Sequence, residues 1–433
     1  MKPVQPPHSS RRYNTSRPTR QPRPQPAEVA GLAPRKAALR MVDAVLRRGE
    51  TLDNAVPSAC QGLGLGADRA LARALAAEAL RWMVDLDALI DSATQQVLPE
   101  DAKPRAVLRL MLAGWLRLDT PPHAVVATGL ELLSGGPRRL AHGVFSALVR
   151  RGVGLPDAPT LPTAVAERWA ERAAPIAAGL AVPPPLDISA RAEALVPEGV
   201  SLMPGHVRCG RGDAVETLAG YEAGGWWVQD LAAALPARLV GAPPRAGARV
   251  LDLCAAPGGK TMQLAAAGWD VTALDASPRR LERVAANLKR TGLQAAMVAG
   301  DAMQWTPDAP FDAILIDAPC TATGTCRRHP DVLHRIGPRQ IAEMAEIQQA
   351  MLARAAGWLA PGGRLVYAVC SLERAEGEDQ AEAFTALRPD PITADELPQG
   401  LTPTAQGWLR TDPGMLADQG GLDGFFVARW RAG

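Results

Sequence analysis

Apolar residues in the N-terminal third of the chain recur at helical spacing. Ala38, Met41, Val42 and Val45 occupy the i, i+3, i+4 and i+7 positions of one face, and Gly49 ends the pattern. The same period predicts four further helices, with approximate bounds 68–83, 101–120 (ended by the proline pair at 121–122), 124–133 and 140–150. We therefore expect an all-helical N-terminal domain.

The pattern changes twice further along the chain. Residues 152–222 read as an irregular connector with one helix over 163–180. Short apolar runs then alternate with amphipathic segments, which indicates a parallel, doubly wound α/β sheet with ligands at the carboxyl ends of its strands. The predicted strands are 249–253, 269–274, 295–298, 313–316 and 364–369, and the predicted helices are 262–267, 278–291 and 338–359.

Length, hydropathy and charge narrow the class of protein. The 433 residues suggest two or three domains at about 150 residues each. No apolar run reaches the roughly 18–20 residues of a membrane span, and none resembles a signal peptide, so we expect a soluble, cytoplasmic protein without a membrane partner. The net charge of +2, taken alone, argues against a nucleic-acid partner. It is, however, the sum of +6 in residues 1–27, +3 in residues 28–151 and −7 in residues 152–433, so the N-terminal third is basic.

The basic excess of residues 1–27 comes with seven prolines and no acid, a composition that predicts a disordered tail. Such a tail either attracts phosphate or is a solvated extension without a task. The six cysteines form no C-x-x-C pair, so we expect neither a zinc site, nor any other metal, nor a disulfide framework. Most such thiols are core packing, and catalysis is the alternative.

A glycine-rich segment joins the first predicted strand of the sheet to the following helix. It reads DLCAAPGGKT over residues 252–261, which matches neither the dinucleotide-binding nor the P-loop template. Taken alone it is weak support for a binding site, because glycine-rich turns are often structural. The residues at its centre are Cys254, Ala255, Ala256, Pro257, Gly258, Gly259 and Lys260.

Acidic residues end the first four predicted strands: Asp252, Asp275, Asp301 and Asp317. A single acid at a strand end is commonly a turn former, but four would meet in one crevice. The second acid suits a ribose hydroxyl pair and the third an adenine amino group. No phosphate-binding turn accompanies them, and S-adenosyl-L-methionine is an adenosine cofactor that fits this description.

Two cysteines, Cys320 and Cys370, lie just beyond strand ends on the same rim. In these loops catalysis is at least as good an explanation as packing. A thiolate is a strong nucleophile, and its addition to C6 of cytosine would make the adjacent C5 nucleophilic.

The motifs together resemble the RNA cytosine-C5 methyltransferases of the Nop/Sun family. They are D-x-C-A-A-P-G-G-K-T, D-A-P-C-x-A-T-G with R-R-H-P-D, Y-A-x-C-S followed by Glu376-Gly377-Glu378, and the terminal Asp423-Gly424-Phe425-Phe426. The helical N-terminal domain resembles the NusB-like domain of the Sun (Fmu) branch, the small-subunit ribosomal RNA methyltransferase B type. The resemblance implies a basic tail (1–27), an all-α NusB-like RNA-binding bundle (28–152), a connector or small RNA-recognition subdomain (153–222) and a Rossmann-like α/β methyltransferase domain (223–433).

The resemblance also implies roles for individual residues. Cys370 would be the nucleophile that bonds C6, and Cys320 would assist release of the methylated RNA. Asp317 and Lys260 would support catalysis, and S-adenosyl-L-methionine would be held by residues 254–260 together with Asp275, Asp301 and Asp317. The implied substrate is 16S ribosomal RNA, naked or in an early small-subunit particle, and the implied oligomeric state is a monomer.

Other functions remain open from the sequence. A DNA cytosine-C5 methyltransferase would use Cys320 as the nucleophile, and a ribosome-assembly factor would bind RNA with weak or lost catalysis. Methylation of another RNA is a further alternative. Departures from the family pattern at Leu161, Ser146 and residues 187–189 bear on RNA docking. We also expect Arg327 and Arg328 to contribute to RNA affinity.

Overall fold

The computed structural model describes residues 1–4, 30–64, 66–210, 212 and 214–433. The predicted basic tail falls almost wholly on residues 5–29, outside the described residues. Within the described part of the chain, no helix is long and apolar enough to cross a membrane.

The N-terminal third is an all-helical bundle, as its periodicity predicts. Its described helices are α1 (Leu32–Arg48), α2 (Leu52–Ala59), α3 (Gly66–Arg81), α4 (Met83–Asp91), α5 (Lys103–Arg117), α6 (Pro122–Gly129) and α7 (Gly135–Arg151). One apolar core that includes Met41, Leu75 and Phe145 holds them together. The first helix ends where predicted, because Gly49 adopts the left-handed conformation (φ 67°) that closes a helix C-terminus.

The bundle differs from the predictions in three details. The α2 helix was not predicted. The helix predicted over 68–83 is broken at Trp82, whose φ of −103° and ψ of 15° are not helical and whose ring is buried under the guanidinium of Arg117. The proline pair at 121–122 does not end α5, which stops at Arg117, but begins α6, because proline fits the first turn of a helix.

The connector is more ordered than predicted. The helix expected over 163–180 is interrupted at Ala170, which has a positive φ of 47°, and so divides into α8 (Thr163–Trp169) and α9 (Ala173–Leu180). A small antiparallel sheet then replaces the expected irregular segment and takes its last strand from beyond residue 222. Its strands are β1 (Leu186–Ala190), β2 (Gly199–Val200), β3 (His206–Cys209) and β4 (Trp226–Val228), in the order β2-β3-β1-β4.

The C-terminal part is the predicted α/β domain. Its helices are α10 (Leu231–Val240), α11 (Gly259–Ala266), α12 (Pro278–Thr291), α13 (Val332–Arg335), α14 (Pro338–Ala356) and α15 (Glu378–Ala383). Its strands are β5 (Arg249–Leu253), β6 (Asp270–Asp275), β7 (Ala296–Ala299), β8 (Phe311–Asp317), β9 (Leu359–Val369), β10 (Arg388–Pro389), β11 (Leu409–Thr411) and β12 (Phe425–Arg431).

The sheet is mixed rather than wholly parallel, in the order β10-β12-β9-β8-β5-β6-β7, with β11 paired to β12. Strands β5 to β9 run parallel, whereas β12 is antiparallel to β9. The chain moves from β5 outward to β6 and β7, and then restarts on the other side of β5 with β8. This reversal between β5 and β8 opens a crevice at the carboxyl ends of the strands.

The helical bundle packs directly on the α/β domain. Arg81 Nη2 donates to the backbone oxygen of Arg327 (2.9 Å), and the His334 ring is 2.6 Å from the backbone oxygen of Leu80. Arg81 is itself buried and paired with Glu78. The bundle is therefore anchored to the loop that carries the R-R-H-P-D motif.

Candidate functional site

The glycine-rich segment forms a tight turn between β5 and α11. Cys254 has a left-handed φ of 62° and Gly258 a φ of 103°. A Cβ atom on Gly258 would lie 3.2 Å from Cγ1 of Val284 on α12, so glycine is needed both for the conformation and for the close packing. The turn is closed by Ala256 N, which donates to the carboxylate of Asp275 (3.2 Å).

A cleft of about 520 Å³ lies at the carboxyl ends of the parallel strands. Each of the five strands contributes a predicted site residue to its lining: Cys254, Asp275, Asp301, Asp317 and Cys370. Ala256 and Cys320 line it as well. The remaining predicted residues, Ala255, Pro257, Gly258, Gly259 and Lys260, form the turn and the start of the helix behind this wall.

The cleft suits an adenosine cofactor without phosphates. The Asp275 carboxylate accepts from Ser277 N (2.9 Å) and faces Arg280 at 3.6 Å, so it is held at the end of β6. Asp301 is exposed and accepts from Met303 N (2.9 Å). Two anchored acids beside apolar lining from Ile347 and other residues match the needs of ribose, adenine and a thioether chain. S-adenosylmethionine therefore fits the residues present.

An ion pair stands at the inner end of the cleft. Lys260 Nζ donates to Asp317 Oδ2 (2.8 Å) and lies 5.3 Å from the centre of the Phe425 ring. Burial alone would lower the pKa of Lys260, but the Asp317 carboxylate outweighs it and the pKa is raised. Lys260 is therefore a cation that faces both the cleft carboxylate and an aromatic ring.

The two loop cysteines meet in the cleft. Cys320 Sγ and Cys370 Sγ are 3.4 Å apart although 50 residues separate them in the chain, because β8 and β9 are parallel neighbours. The hydrogen bond to Cys370, and then burial, raise the pKa of Cys320 well above its usual value. Burial and the nearby Asp317 raise the pKa of Cys254 to about 12, so this third thiol is neutral at physiological pH.

Glycines bring the two cysteine loops to the C-terminal segment. Gly324 N donates to the backbone oxygen of Cys370 (3.0 Å), and Gly424 N donates to the backbone oxygen of Gly324 (2.8 Å). A Cβ on Gly324 would lie 2.0 Å from the oxygen of Gly424. The glycines of the D-A-P-C-x-A-T-G and D-G-F-F motifs, Gly324 and Gly424, are thus required because the two backbones approach each other closely at this point.

A buried carboxylate that the sequence analysis did not single out lies behind the cysteines. Glu376 is fully buried and accepts hydrogen bonds from Thr321, Ser371 and Gln348. Its signal in the sequence was a glutamate six residues beyond Cys370, inside the motif that carries the resemblance. Periodicity gave no reason to place it at the site.

The expectation that Arg327 and Arg328 contribute to RNA affinity is not supported by their surroundings. Arg327 is 2% exposed and donates to the backbone oxygen of Gly420. Arg328 donates to Asp230 (2.7 Å) and to Asp423 (3.1 Å), two buried carboxylates. Arg327 is therefore buried where the R-R-H-P-D loop meets the helical bundle, whereas Arg328 has its charge paired with two buried carboxylates but keeps 27% of its side chain exposed.

The departures at residues 161 and 187 are also buried. Asp187 accepts from Arg208 Nε (2.7 Å) and lies 3.5 Å from His206. Burial opposes the charge of this carboxylate, but Arg208 and His206 hold its pKa well below the ordinary range. Leu161 packs in the core beneath α8. These two side chains stabilise the connector and offer no exposed group to RNA.

Comparison with known proteins agrees with this arrangement. Residues 241–431 match the family described as 16S rRNA methyltransferase RsmB/F, and residues 32–136 match the NusB family. The ribosomal RNA small subunit methyltransferase B of Klebsiella pneumoniae is 33% identical over 91% of this chain and 97% of its own length. The same-named protein of Xylella fastidiosa is 34% identical over 92% of this chain and 98% of its own.

A solved structure shares the whole architecture. The crystal structure of PH0851 has a TM-score of 0.66 to this protein, with 21% identity, and the match covers 91% of this chain and 98% of that one. At this identity the likeness shows the fold. Because curated relatives above 30% identity match nearly its full length, the chain belongs to the ribosomal RNA small subunit methyltransferase B family, in which a NusB-family helical domain precedes an S-adenosylmethionine-dependent methyltransferase domain.

Proposed function

We propose that this enzyme methylates C5 of a cytosine in 16S ribosomal RNA through a covalent adduct between Cys370 and C6 of the base. The observation that carries the proposal is the pair of thiols 3.4 Å apart in a cleft built from five strand ends. Cytosine C5 is a weak nucleophile, and thiolate addition at C6 is a direct way to activate it.

The residues that would hold S-adenosylmethionine are the turn over 254–260 and the carboxylates of Asp275, Asp301 and Asp317. The turn closes against Asp275, and Asp301 is open to the cleft. When bound, the cofactor supplies an electrophilic methyl group. The neutral Cys254 thiol and apolar residues such as Ile347 and Met351 line the same cleft and would contact the uncharged parts of the cofactor.

The cysteines divide the covalent work. The Cys370 thiolate forms a bond to C6, and the electrons of the C5–C6 double bond move to C5. After methylation C5 gives its proton to the Cys320 sulfur, the C5–H electrons re-form the C5–C6 double bond, and the bond from C6 to sulfur breaks, which releases Cys370 as a thiolate. The raised pKa of Cys320 keeps it a thiol while Cys370 attacks. Once Cys370 is bonded to C6, the charge of Cys370 no longer raises that pKa, so Cys320 can lose its proton to solvent and act as the base at C5.

Lys260 and Asp317 provide the charge near the base. In our proposal the Asp317 carboxylate approaches the cytosine edge and favours protonation at N3, which eases addition at C6. The Lys260 ammonium holds that carboxylate in place at 2.8 Å. The base must leave its stack to enter the cleft, as base-modifying enzymes require.

The substrate assignment follows the names of the relatives and the NusB-family domain. We propose that the +3 helical domain contacts RNA phosphates, that the enzyme acts as a monomer in the cytoplasm, and that naked RNA or an early particle is the substrate. An assembly factor without catalysis would have no use for the paired thiols. Action on another RNA is the remaining alternative.

Two cysteine variants test the chemistry. We expect Cys370→Ser to abolish methyl transfer and adduct formation, and Cys320→Ser to accumulate a covalent RNA complex on a denaturing gel. Loss of the adduct in Cys320→Ser would assign the nucleophile to Cys320 instead. Bisulfite sequencing of ribosomal RNA from a deletion strain tests the substrate: an unchanged 5-methylcytosine pattern in the small-subunit RNA would refute the assignment.

A further inference from the structure

Glu376 is the one buried carboxylate that touches the loops of both cleft cysteines among the described residues. Its side chain accepts from Thr321 N (2.9 Å) and from the Thr321 hydroxyl, and from the hydroxyl of Ser371 (2.7 Å). Thr321 directly follows Cys320, and Ser371 directly follows Cys370. A single carboxylate thus joins the two residues adjacent to the reacting thiols.

Further contacts fix the carboxylate itself. Gln348 on α14 donates to Glu376 (2.9 Å) and also to the backbone oxygen of Pro319 (2.9 Å), the residue before Cys320. The hydroxyl of Tyr367 on β9 donates to the backbone oxygen of Glu376 (2.6 Å). The loop of Cys320 is therefore held from both sides, and the geometry of the thiol pair depends on Glu376.

The donors that surround the carboxylate are all neutral. Its hydrogen bonds come from a backbone amide, two hydroxyls and a side-chain amide. The guanidinium of Arg410, on the neighbouring strand β11, donates to the backbone oxygen of Ser371 and is paired with Glu378 (2.6 Å). Among the described residues, no cation donates to the Glu376 carboxylate.

We propose that Glu376 is a positioning residue for methyl transfer, which sets the spacing of the two thiols by joining the loops of Cys320 and Cys370. This inference rests on the roles of the cysteines in the proposed function. The neighbouring titratable groups are the two cysteines, Tyr367, Arg410 and, on the far side of Cys370, Lys260.

Electrostatics agrees with this geometry. The causes that raise the pKa of Cys320 are the hydrogen bond to Cys370, burial, the charge of Cys370 and then the charge of Glu376. Burial first, and then Cys320 and Glu376, raise the pKa of Tyr367. The charge of Glu376 thus favours the neutral form of the thiol that must not compete as a nucleophile.

The test compares three variants of the full chain. Glu376→Gln replaces the carboxylate with a neutral amide, and Thr321→Val removes the hydrogen bonds of the Thr321 hydroxyl to Glu376 and Ser371 but keeps the carboxylate. Glu373→Gln is the matched control, because Glu373 is also a buried glutamate on the same loop but its carboxylate contacts Trp169 (3.1 Å) and Arg168 (3.2 Å) instead. S-adenosylmethionine affinity and single-turnover methyl transfer are measured for each. We expect Glu376→Gln and Thr321→Val to lower the transfer rate about tenfold or more, with cofactor affinity changed less than about twofold.

A second measurement separates charge from packing. Iodoacetamide alkylates thiolates, so at pH 8 its rate on Cys320, followed by mass spectrometry of that peptide in a Cys370→Ser background, reports the thiolate fraction. A pKa lower by one unit gives about a tenfold faster reaction. We expect Glu376→Gln to accelerate alkylation by more than about twofold, and Thr321→Val and Glu373→Gln to leave it within about twofold.

The outcomes distinguish this inference from the proposed function. One outcome is that Cys370→Ser is inactive while Glu376→Gln matches the Glu373→Gln control both in methyl transfer and in the alkylation rate of Cys320. In that case the proposed role of Glu376 is wrong and the proposed cysteine chemistry stands. If alkylation rises equally in Thr321→Val, loosening of the loop explains it and the charge does not. If Cys370→Ser keeps its activity, the proposed function itself fails. Should Glu376→Gln not fold, Thr321→Val decides the positioning role.

Discussion

Replacing Arg328 tests whether this arginine stabilises the folded state through its ion pairs or contacts RNA. Its guanidinium bridges Asp230 (2.7 Å) and Asp423 (3.1 Å), whose side chains are only 6% and 4% exposed. Burial would lower the pKa of Arg328, but the two carboxylates outweigh it and raise the pKa. Arg328→Met would leave both carboxylates buried without their cation. Removing one partner of a buried ion pair costs about 3–5 kcal/mol, and we expect a decrease of that size in the free energy of unfolding.

The decrease should depend on pH. Burial, and then the charge of Asp230, already raise the pKa of Asp423 to about 7. A carboxyl whose pKa is raised in the folded state contributes stability that is present below its unfolded pKa, near 4, and is lost as the pH rises through its folded pKa. We therefore expect Arg328→Met to be destabilised more at pH 8 than at pH 5.

Urea unfolding at both pH values measures the stability, and RNA binding at several salt concentrations measures the phosphate contacts. Arg339→Met is the control, because Arg339 is 89% exposed and pairs with Glu343 on the surface of α14, so its replacement should leave the free energy of unfolding nearly unchanged. If Arg328→Met is as stable as wild type and its RNA binding depends less on salt, then Arg328 contacts RNA phosphate and its proposed structural role is wrong.

Three further predictions concern a glycine crossing, a buried acid and exposed arginines. Gly324→Ala should lower the free energy of unfolding by about 3 kcal/mol and remove most methyl transfer, because its Cβ would lie 2.0 Å from a backbone oxygen. Gly143→Ala in α7 is the control: its Cβ would contact nothing within 4 Å, so the free energy of unfolding should rise by about 0.5–1 kcal/mol. Equal unfolding midpoints for the two variants would contradict this prediction. Burial raises the pKa of Asp252 to about 7, so ionisation of this carboxyl should lower the free energy of unfolding as the pH rises from about 4 through 7. Asp252→Asn should therefore flatten the pH dependence of the free energy of unfolding in that range, and an unchanged slope would contradict this. Arg139→Gln and Arg150→Gln, on exposed positions of α7, should each lower the slope of log K against log salt by roughly 0.7–0.9 for every phosphate that the arginine neutralises, and a slope equal to that of wild type would exclude them as RNA-binding residues.

Deletion of residues 1–151 would be a poorer test of RNA binding than these single charge variants. The bundle carries Arg81 and Leu80, which contact the R-R-H-P-D loop and α13 through buried groups. Deletion would uncover those groups and change the α/β domain along with the RNA surface. Single exposed arginines change the charge alone.

Local periodicity was sufficient for most elements of the α/β domain. The predicted helix over 278–291 has the bounds of α12, and the predicted strands differ from β5 to β8 by at most two residues at each end. These segments are amphipathic or uniformly apolar and are bounded by proline or glycine, so their own residues specify their ends. β9 begins five residues before its predicted start, because residues 361–363 are Pro-Gly-Gly and conceal the strand.

Elements that depend on partners elsewhere in the chain were not predicted. The small sheet of β1 to β4 has strands of two to five residues, and its central carboxylate, Asp187, is stable only because Arg208 lies on the neighbouring strand. The last strand, β12, is antiparallel and buried between β9 and the short edge strand β10. No local pattern specifies such pairings.

The sequence by itself determined the chemistry: a glycine-rich turn, acids at strand ends and two loop cysteines, in an order that resembles one methyltransferase family. It determined them because each residue's type and its place after an apolar run are local properties. Only the tertiary structure decided which of them meet. Parallel pairing of β8 and β9 brings Cys320 to Cys370, and Glu376 joins their loops. Tertiary packing likewise gave Arg328, an expected RNA contact, two buried carboxylate partners, because the environment of a charge is set by the elements packed around it.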